Sequence, residues 1–368
     1  GVRYEAAEQS VTPIDLFSDD PLPTAAPLDN DYFLPAATVT WNFREDMQLR
    51  FGASKTIARP QFRELAPQQY LDTDLDRVFI GNPYLVDTEL LNLDARYEWY
   101  FARQQFITAG VFYKDMDKPV ESVIVDVGNQ RQQSFLNAPK ATIMGAEVEV
   151  KKYFEFPDQP MAFIANKRWL VQANYTYSDS EVKVSSGDTV LTLGGAGTPE
   201  QASFFIQDGS RLQGQSDHVA NLQLGWEDDT ARSQATIIVN YVSDRITARG
   251  AGISTSREPD FIQDPGVFLD FVYRKDFDVA GRELGLAVEL RNLLGTEFDE
   301  YQELGNKIRI NTYDLGTSAS VDRLSAQTAQ GNVPGFDPST RNLGADVTAT
   351  WEPDFFGRAA AAVAAENA

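Results

Sequence analysis

"LNLDARYEWYF", residues 91–101, decides the fold class. Leu91, Leu93, Ala95, Tyr97, Trp99 and Phe101 fall on one side of a two-residue repeat. Asn92, Asp94, Arg96, Glu98 and Tyr100 fall on the other. A 3.6-residue period scatters the same residues around a helix, so the stretch reads as a strand with one apolar and one charged face. The pattern returns in "FITAGVFY" (106–113), "MGAEVEVKK" (144–152) and "WLVQANYTY" (169–177). It is looser in "ATIIVNY" (235–241) and "VFLDFVYRK" (267–275), where Ile238, Phe268 and Val272 fall out of phase.

About twelve such strands are expected, near 1–9, 32–43, 48–59, 91–101, 105–115, 141–153, 168–179, 217–227, 233–244, 267–275, 284–293 and 308–322. No helix of comparable strength is readable. Short connections (44–47, 102–104, 228–232, 276–283 and the longer 154–167) alternate with long ones (10–31, 60–90, 116–140, 180–216, 245–266, 294–307). That alternation fits an up-and-down antiparallel meander with its long loops at one end.

A soluble sandwich also alternates, so three further features decide. Strands of about ten residues, rising about 3.3 Å each at a ~40° tilt, span roughly 25 Å, the height of a membrane barrel's apolar band. Aromatics gather beside the short turns: Trp41 and Phe43, then Trp99 and Phe101, then Phe154, Trp169, Trp226 and Tyr273. Rings at one common height form an interfacial girdle. The opposite face carries Arg50, Asp94, Arg96, Glu98, Glu147 and Glu149, which a sandwich core cannot accept and a water-filled or plugged lumen can. Lys55 falls on the apolar side near the long-loop end, where its ammonium can snorkel. The expectation is an all-β, antiparallel, up-and-down transmembrane barrel.

Composition narrows the function. Without Cys, no disulfide framework, thiolate metal site or Cys nucleophile is available. The single His, His218, leaves no histidine cluster for a metal or haem. Lys+Arg 32 against Asp+Glu 54 gives a net charge of -22, which lacks the basic footprint of a nucleic-acid binder. No Ser-His-Asp or HExxH arrangement appears, so no enzyme, cofactor or metal is implied. Glu147 and Glu149 share one strand face and read as lumen lining rather than as an acid/base pair.

The chain resembles the C-terminal half of the barrel of TonB-dependent outer-membrane receptors. The similar stretches are "FLPAATVTWNF" (33–43), "LRFGASKTIARPQFREL" (49–65), "GNPYLVDTELLNLDARYEWYF" (81–101), "FYKDMDKPVES" (112–122), "NAPKATIMGAEVEVKKYF" (137–154), "LAVELRNLLGTEFDEYQE" (286–303) and "YDLGTSASV" (313–321). The resemblance implies about twelve strands of a barrel of about 22, placed in a bacterial outer membrane with long loops outside. It implies import of a scarce solute, such as a siderophore or an oligosaccharide, with energy supplied through TonB. The plug domain and the TonB-contacting segment are not in this chain, so the TonB complex would be met through the missing plug. Residues 1–322 are assigned to the barrel. Residues 323–368 form an atypical end, read either as an insertion followed by a closing strand at 343–351 or as a non-native tail. A passive porin is the alternative reading, and a soluble sandwich or a barrel enzyme stands behind it.

"FREL" (62–65) and "GNPYL" (81–85) bracket one long loop. They resemble paired boxes of haem-uptake receptors, but no His lies between them, which disfavours haem. Pro60 and Pro83 restrict the chain, which favours a structural bracket. Arg63, Tyr70, Asn82 and Tyr84 are the candidate ligand contacts. "DTDLD" (72–76) spaces its acids like the start of a calcium loop but lacks the Gly and Glu that follow, and "GGAG" (194–197) reads as a flexible loop tip.

Overall fold

In a computed structural model, thirteen strands form one antiparallel sheet and follow one another across it in chain order. The structure describes residues 1–11, 27–72, 77–127, 130–159, 161–253, 256–279, 282–304, 306–314, 318–325 and 347–349. The sheet strands are β1 (Val2–Gln9), β2 (Leu28–Arg44), β3 (Met47–Ala58), β4 (Thr88–Ala102), β5 (Gln105–Asp117), β6 (Lys140–Glu155), β7 (Arg168–Lys183), β8 (His218–Asp228), β9 (Ser233–Val242), β10 (Gly266–Val279), β11 (Arg282–Arg291), β12 (Ser318–Ser325) and β13 (Val347–Ala349).

Register converts the alternation into two chemically distinct faces. Val39, Phe51, Ala95, Val111, Ala146 and Tyr177 pair across β2 to β7 in a single row. The next row is Thr40, Arg50, Arg96, Gly110, Glu147 and Thr176. The apolar face is open: Val39 is 62% exposed, Val111 57% and Trp41 60%. An uncovered apolar face of this extent needs a non-aqueous neighbour, and lipid supplies it. Lys55 on that face pairs with Glu89.

The polar face holds its charges in pairs. Glu98 is nearly buried and accepts from Tyr100 Oη at 2.8 Å and from the Gln48 amide. Arg96 donates to Thr108 Oγ1 at 3.0 Å and lies 3.6 Å from Glu149. A cavity of 220 Å³ on this face is lined by Arg96, Thr108, Glu147, Glu149, Asn174 and Thr176. Phe268 faces the same way, and its phase break has a cause: its ring meets Phe298 edge to face at 5.5 Å.

At the short-turn end the aromatics touch as a girdle. Trp41 meets Phe43 at 5.8 Å, Phe43 stacks on Tyr97 at 6.4 Å, and Trp226 meets Tyr273 at 6.3 Å.

The long connections depart from expectation. They are not plain loops but a second layer of strands. Gln69–Asp72, Arg77–Ile80, Gln130–Asn137 and Val120–Val127 form one small sheet. Arg245–Ala248, Phe261–Asp264, Glu297–Leu304 and Asn306–Asp314 form another. The strand expected at 308–322 is therefore two elements. Its first half pairs with Glu297–Leu304 in the outer layer, and only Ser318–Ser325 joins the large sheet. Of 343–351, Val347–Ala349 pairs with β12, and the remainder lies outside the described residues. The residues 73–76 of "DTDLD" lie outside them too.

The principal buried hydrophobic cluster belongs to this outer layer. Val123, Val125, Leu136, Val182, Val190 and Ile206 come from two long connections and the outer end of β7. The membrane wall solvates its apolar side chains in lipid; the layer above it must bury its own in protein.

Candidate functional site

The outer layer is the candidate site, because it presents irregular polar surface on a fixed scaffold. Its construction starts at the two proline-marked boxes. Phe62–Leu65 forms a single helical turn closed by a capping box between Gln61 and Glu64. The Asn82 N–H donates to the Glu64 carbonyl at 2.6 Å, so the second box docks on the first. The approach demands a glycine: a Cβ on Gly81 would sit 2.2 Å from the Ala66 carbonyl oxygen.

The predicted contact residues then separate. Asn82 is fully buried. Its Nδ2 donates to the carbonyls of Phe135 and Leu191, both at 2.8 Å, and its Oδ1 accepts the Tyr84 N–H at 3.0 Å. One amide thus fastens three connections. Tyr84 is half-buried, with its ring against Gly197, whose φ of +78° only glycine adopts freely. The "GGAG" tip is therefore seated on Tyr84 rather than loose. Tyr70 stacks on Phe79 at 5.3 Å in the cluster of Leu65, Leu85 and Phe135. Arg63 stands apart on the exposed turn, its Nε donating to Gln61 Oε1 at 3.1 Å. Asn82→Ala is expected to strand two carbonyls and an N–H, costing about 3 kcal/mol locally. Limited proteolysis between 60 and 87 should accelerate, and an unchanged rate would remove Asn82 from this role.

A second tie was not foreseen. Arg249 is fully buried, and its five donors are all matched. Nε meets Glu121 Oε2 at 2.7 Å and Nη2 meets Glu121 Oε1 at 2.8 Å. Nη2 also reaches the Arg211 carbonyl at 2.6 Å. Nη1 donates to Asp260 Oδ2 at 3.0 Å and to Ser210 Oγ at 3.1 Å. Burial alone would lower the basicity of this guanidinium; Glu121 and then Asp260 outweigh it and raise the pKa above the ordinary arginine value. One signal was legible: Glu121 shares strand parity with Val123 and Val125, an acid on an apolar face. Nothing in sequence spacing links it to Arg249 or Asp260.

A third tie joins the second long connection, 60–90, to the last, 294–307. Arg77 lies over the Phe261 ring at 4.5 Å, donates to Gln133 at 3.1 Å and pairs with the buried Glu300.

Beside the second tie lies a recess of 430 Å³ lined by Arg211, Arg257, Glu258, Asp260, Ile246 and Glu303 among others. Its mixed charge suits a polar solute held by hydrogen bonds. His218 is elsewhere, beside Tyr175 and Tyr177, with Nδ1 2.8 Å from the Tyr175 hydroxyl. Among the described residues no group of His, Cys, Asp and Glu has the arrangement of a metal site.

Residues 1–293 match the family model described as TonB dependent receptor-like, beta-barrel. No curated protein matches the chain in sequence. Among solved structures, a mutant of the ferric enterobactin receptor from Pseudomonas aeruginosa is similar at 14% identity and a TM-score of 0.45, over 74% of this chain and 36% of that one. The FrpB iron transporter from Neisseria meningitidis is similar at 9% identity and a TM-score of 0.47, over 80% and 39%. The chain thus spans little more than a third of the length of these receptors.

Proposed function

The chain belongs to the TonB-dependent receptor β-barrel family, and from that premise we propose that it forms wall and outer loops of a bacterial outer-membrane importer. Its cargo is a scarce polar solute, a siderophore or an oligosaccharide, moved with energy delivered through TonB. The two-faced sheet carries the reading: an open apolar face for lipid, a charged face for a lumen, and a braced layer of strands on the side of the long connections. Residues 1–322 make the wall and outer layer. Residues 323–368 make an atypical end that includes the closing strand, which the pairing of Val347–Ala349 with β12 supports.

Arg63, Tyr70 and Tyr84 are the solute contacts of this reading, with Asn82 holding Tyr84 from beneath. In this reading TonB acts through the plug of the receptor. The role needs no catalytic group.

The test is energised uptake. Cells carrying the intact receptor are offered radiolabelled ferric siderophores and oligosaccharides, with and without an uncoupler of the inner-membrane proton gradient. Accumulation that collapses on uncoupling is the expected result. Accumulation indifferent to the uncoupler would identify a passive porin instead.

A further inference from the structure

The outward face of the sheet ends at its short-turn rim in a basic and aromatic band, on a chain whose net charge is -22. Lys152 is exposed there, its ammonium 5.8 Å from the Phe101 ring centroid and 5.1 Å from that of Phe154. Arg103, in the adjoining turn between β4 and β5, is exposed as well. The Tyr153 N–H donates to Gln105 Oε1 at 3.1 Å and holds the two segments side by side. Among the described residues neither cation has an ion-pair partner. Lys167 differs: it is only partly exposed and lies 3.3 Å from Asp228.

Among the described residues the turn from β6 to β7 is the longest at this end, and it is apolar where a turn should be polar. Met161 is 59% exposed and Phe163 57%. Phe163 packs edge to face on Trp169 and Trp226, 5.9 Å from each, so the turn folds over the outward face. Cations on long stems above rings, beside exposed apolar side chains, describe a headgroup boundary.

We propose that this rim binds an anionic glycerophospholipid of the leaflet facing the short turns. Lys152 and Arg103 take the headgroup phosphate, and Met161 and Phe163 lie at the acyl boundary. The inference rests on the outer-membrane reading above. Two cations without carboxylate partners favour a net-negative headgroup over a zwitterionic one, whose ammonium they repel. Each basic side chain near an anionic surface contributes a factor of about five in binding.

The experiment uses the intact receptor purified from outer membranes and placed in nanodiscs of phosphatidylglycerol and phosphatidylcholine in equal parts. Lipids retained on release are counted by native mass spectrometry. The wild type is expected to retain phosphatidylglycerol at least about fivefold over phosphatidylcholine. R103Q/K152Q should lose that preference with unchanged melting, R103K/K152R should keep it, and M161S/F163S should retain less of both lipids. A wild type without preference, or R103Q/K152Q with the wild-type preference, would overturn the phosphate site. Unchanged retention by M161S/F163S would overturn the role of the turn. A receptor that inserts but shows no preference sinks this inference alone; one that fails to insert into bilayers sinks the outer-membrane reading with it.

Discussion

Arg249→Met is expected to destabilise the outer layer by about 3–5 kcal/mol, because it leaves buried carboxylates without their cation. Glu121 would lose both oxygens' charged partner inside a cluster that water does not reach. Asp260 would keep Arg257 at 3.0 Å and the Gly250 N–H at 3.1 Å, so Glu121 carries most of the cost. The loss should be local. Hydrogen exchange is expected to quicken across 120–137, 205–213 and 245–264 while β4 to β7 stay protected. Arg249→Met combined with Glu121→Leu should recover part of the loss, since it removes the orphaned charge along with its partner. Equal exchange in wild type and single variant would mean that the cluster braces nothing.

Val111→Arg should cost about 2–4 kcal/mol, the penalty for a cation at the lipid-facing midplane of a membrane barrel. Val111 sits midway along β5, between Ala95 and Ala146 in the apolar row, with its side chain open. Thr176→Arg, on the other face beside Glu147 and Asn174, should cost less than about 1 kcal/mol. Urea titration of the intact receptor folded into lipid vesicles measures both. Equal costs would refute the assignment of faces, and a barrel that tolerates both would not be embedded in lipid as described.

The wall was legible because each of its strands declares itself within ten residues. Alternation needs no partner to be read, and Leu91 to Phe101 announce a face without knowledge of β3 or β5. Girdle aromatics were legible for the same reason, since turn position fixes their height. The outer layer was not. Val123, Leu136, Val190 and Ile206 are unremarkable in their own segments and become a core only when distant connections meet. The boundary error at 308–322 has the same origin: one strand-like run is shared between two sheets. The proline boxes fell between these cases. Their rigidity pointed to a bracket, and the docking of Asn82 on Glu64 supplies one. Which of the four named residues would be buried depended on Phe135 and Leu191, which no local pattern reaches.

The ties of the outer layer also set a timetable. Arg77 and Glu300 stand 223 residues apart, and Arg249 and Glu121 stand 128 apart. Neighbouring wall strands can zip as hairpins soon after each emerges, whereas these pairs wait for residues far along the chain and close large loops. The outer layer is thus expected to mature late, after most of the wall beneath it stands. A chain interrupted before Glu300 would build much of the wall and leave the outer layer without the tie that joins connection 60–90 to connection 294–307.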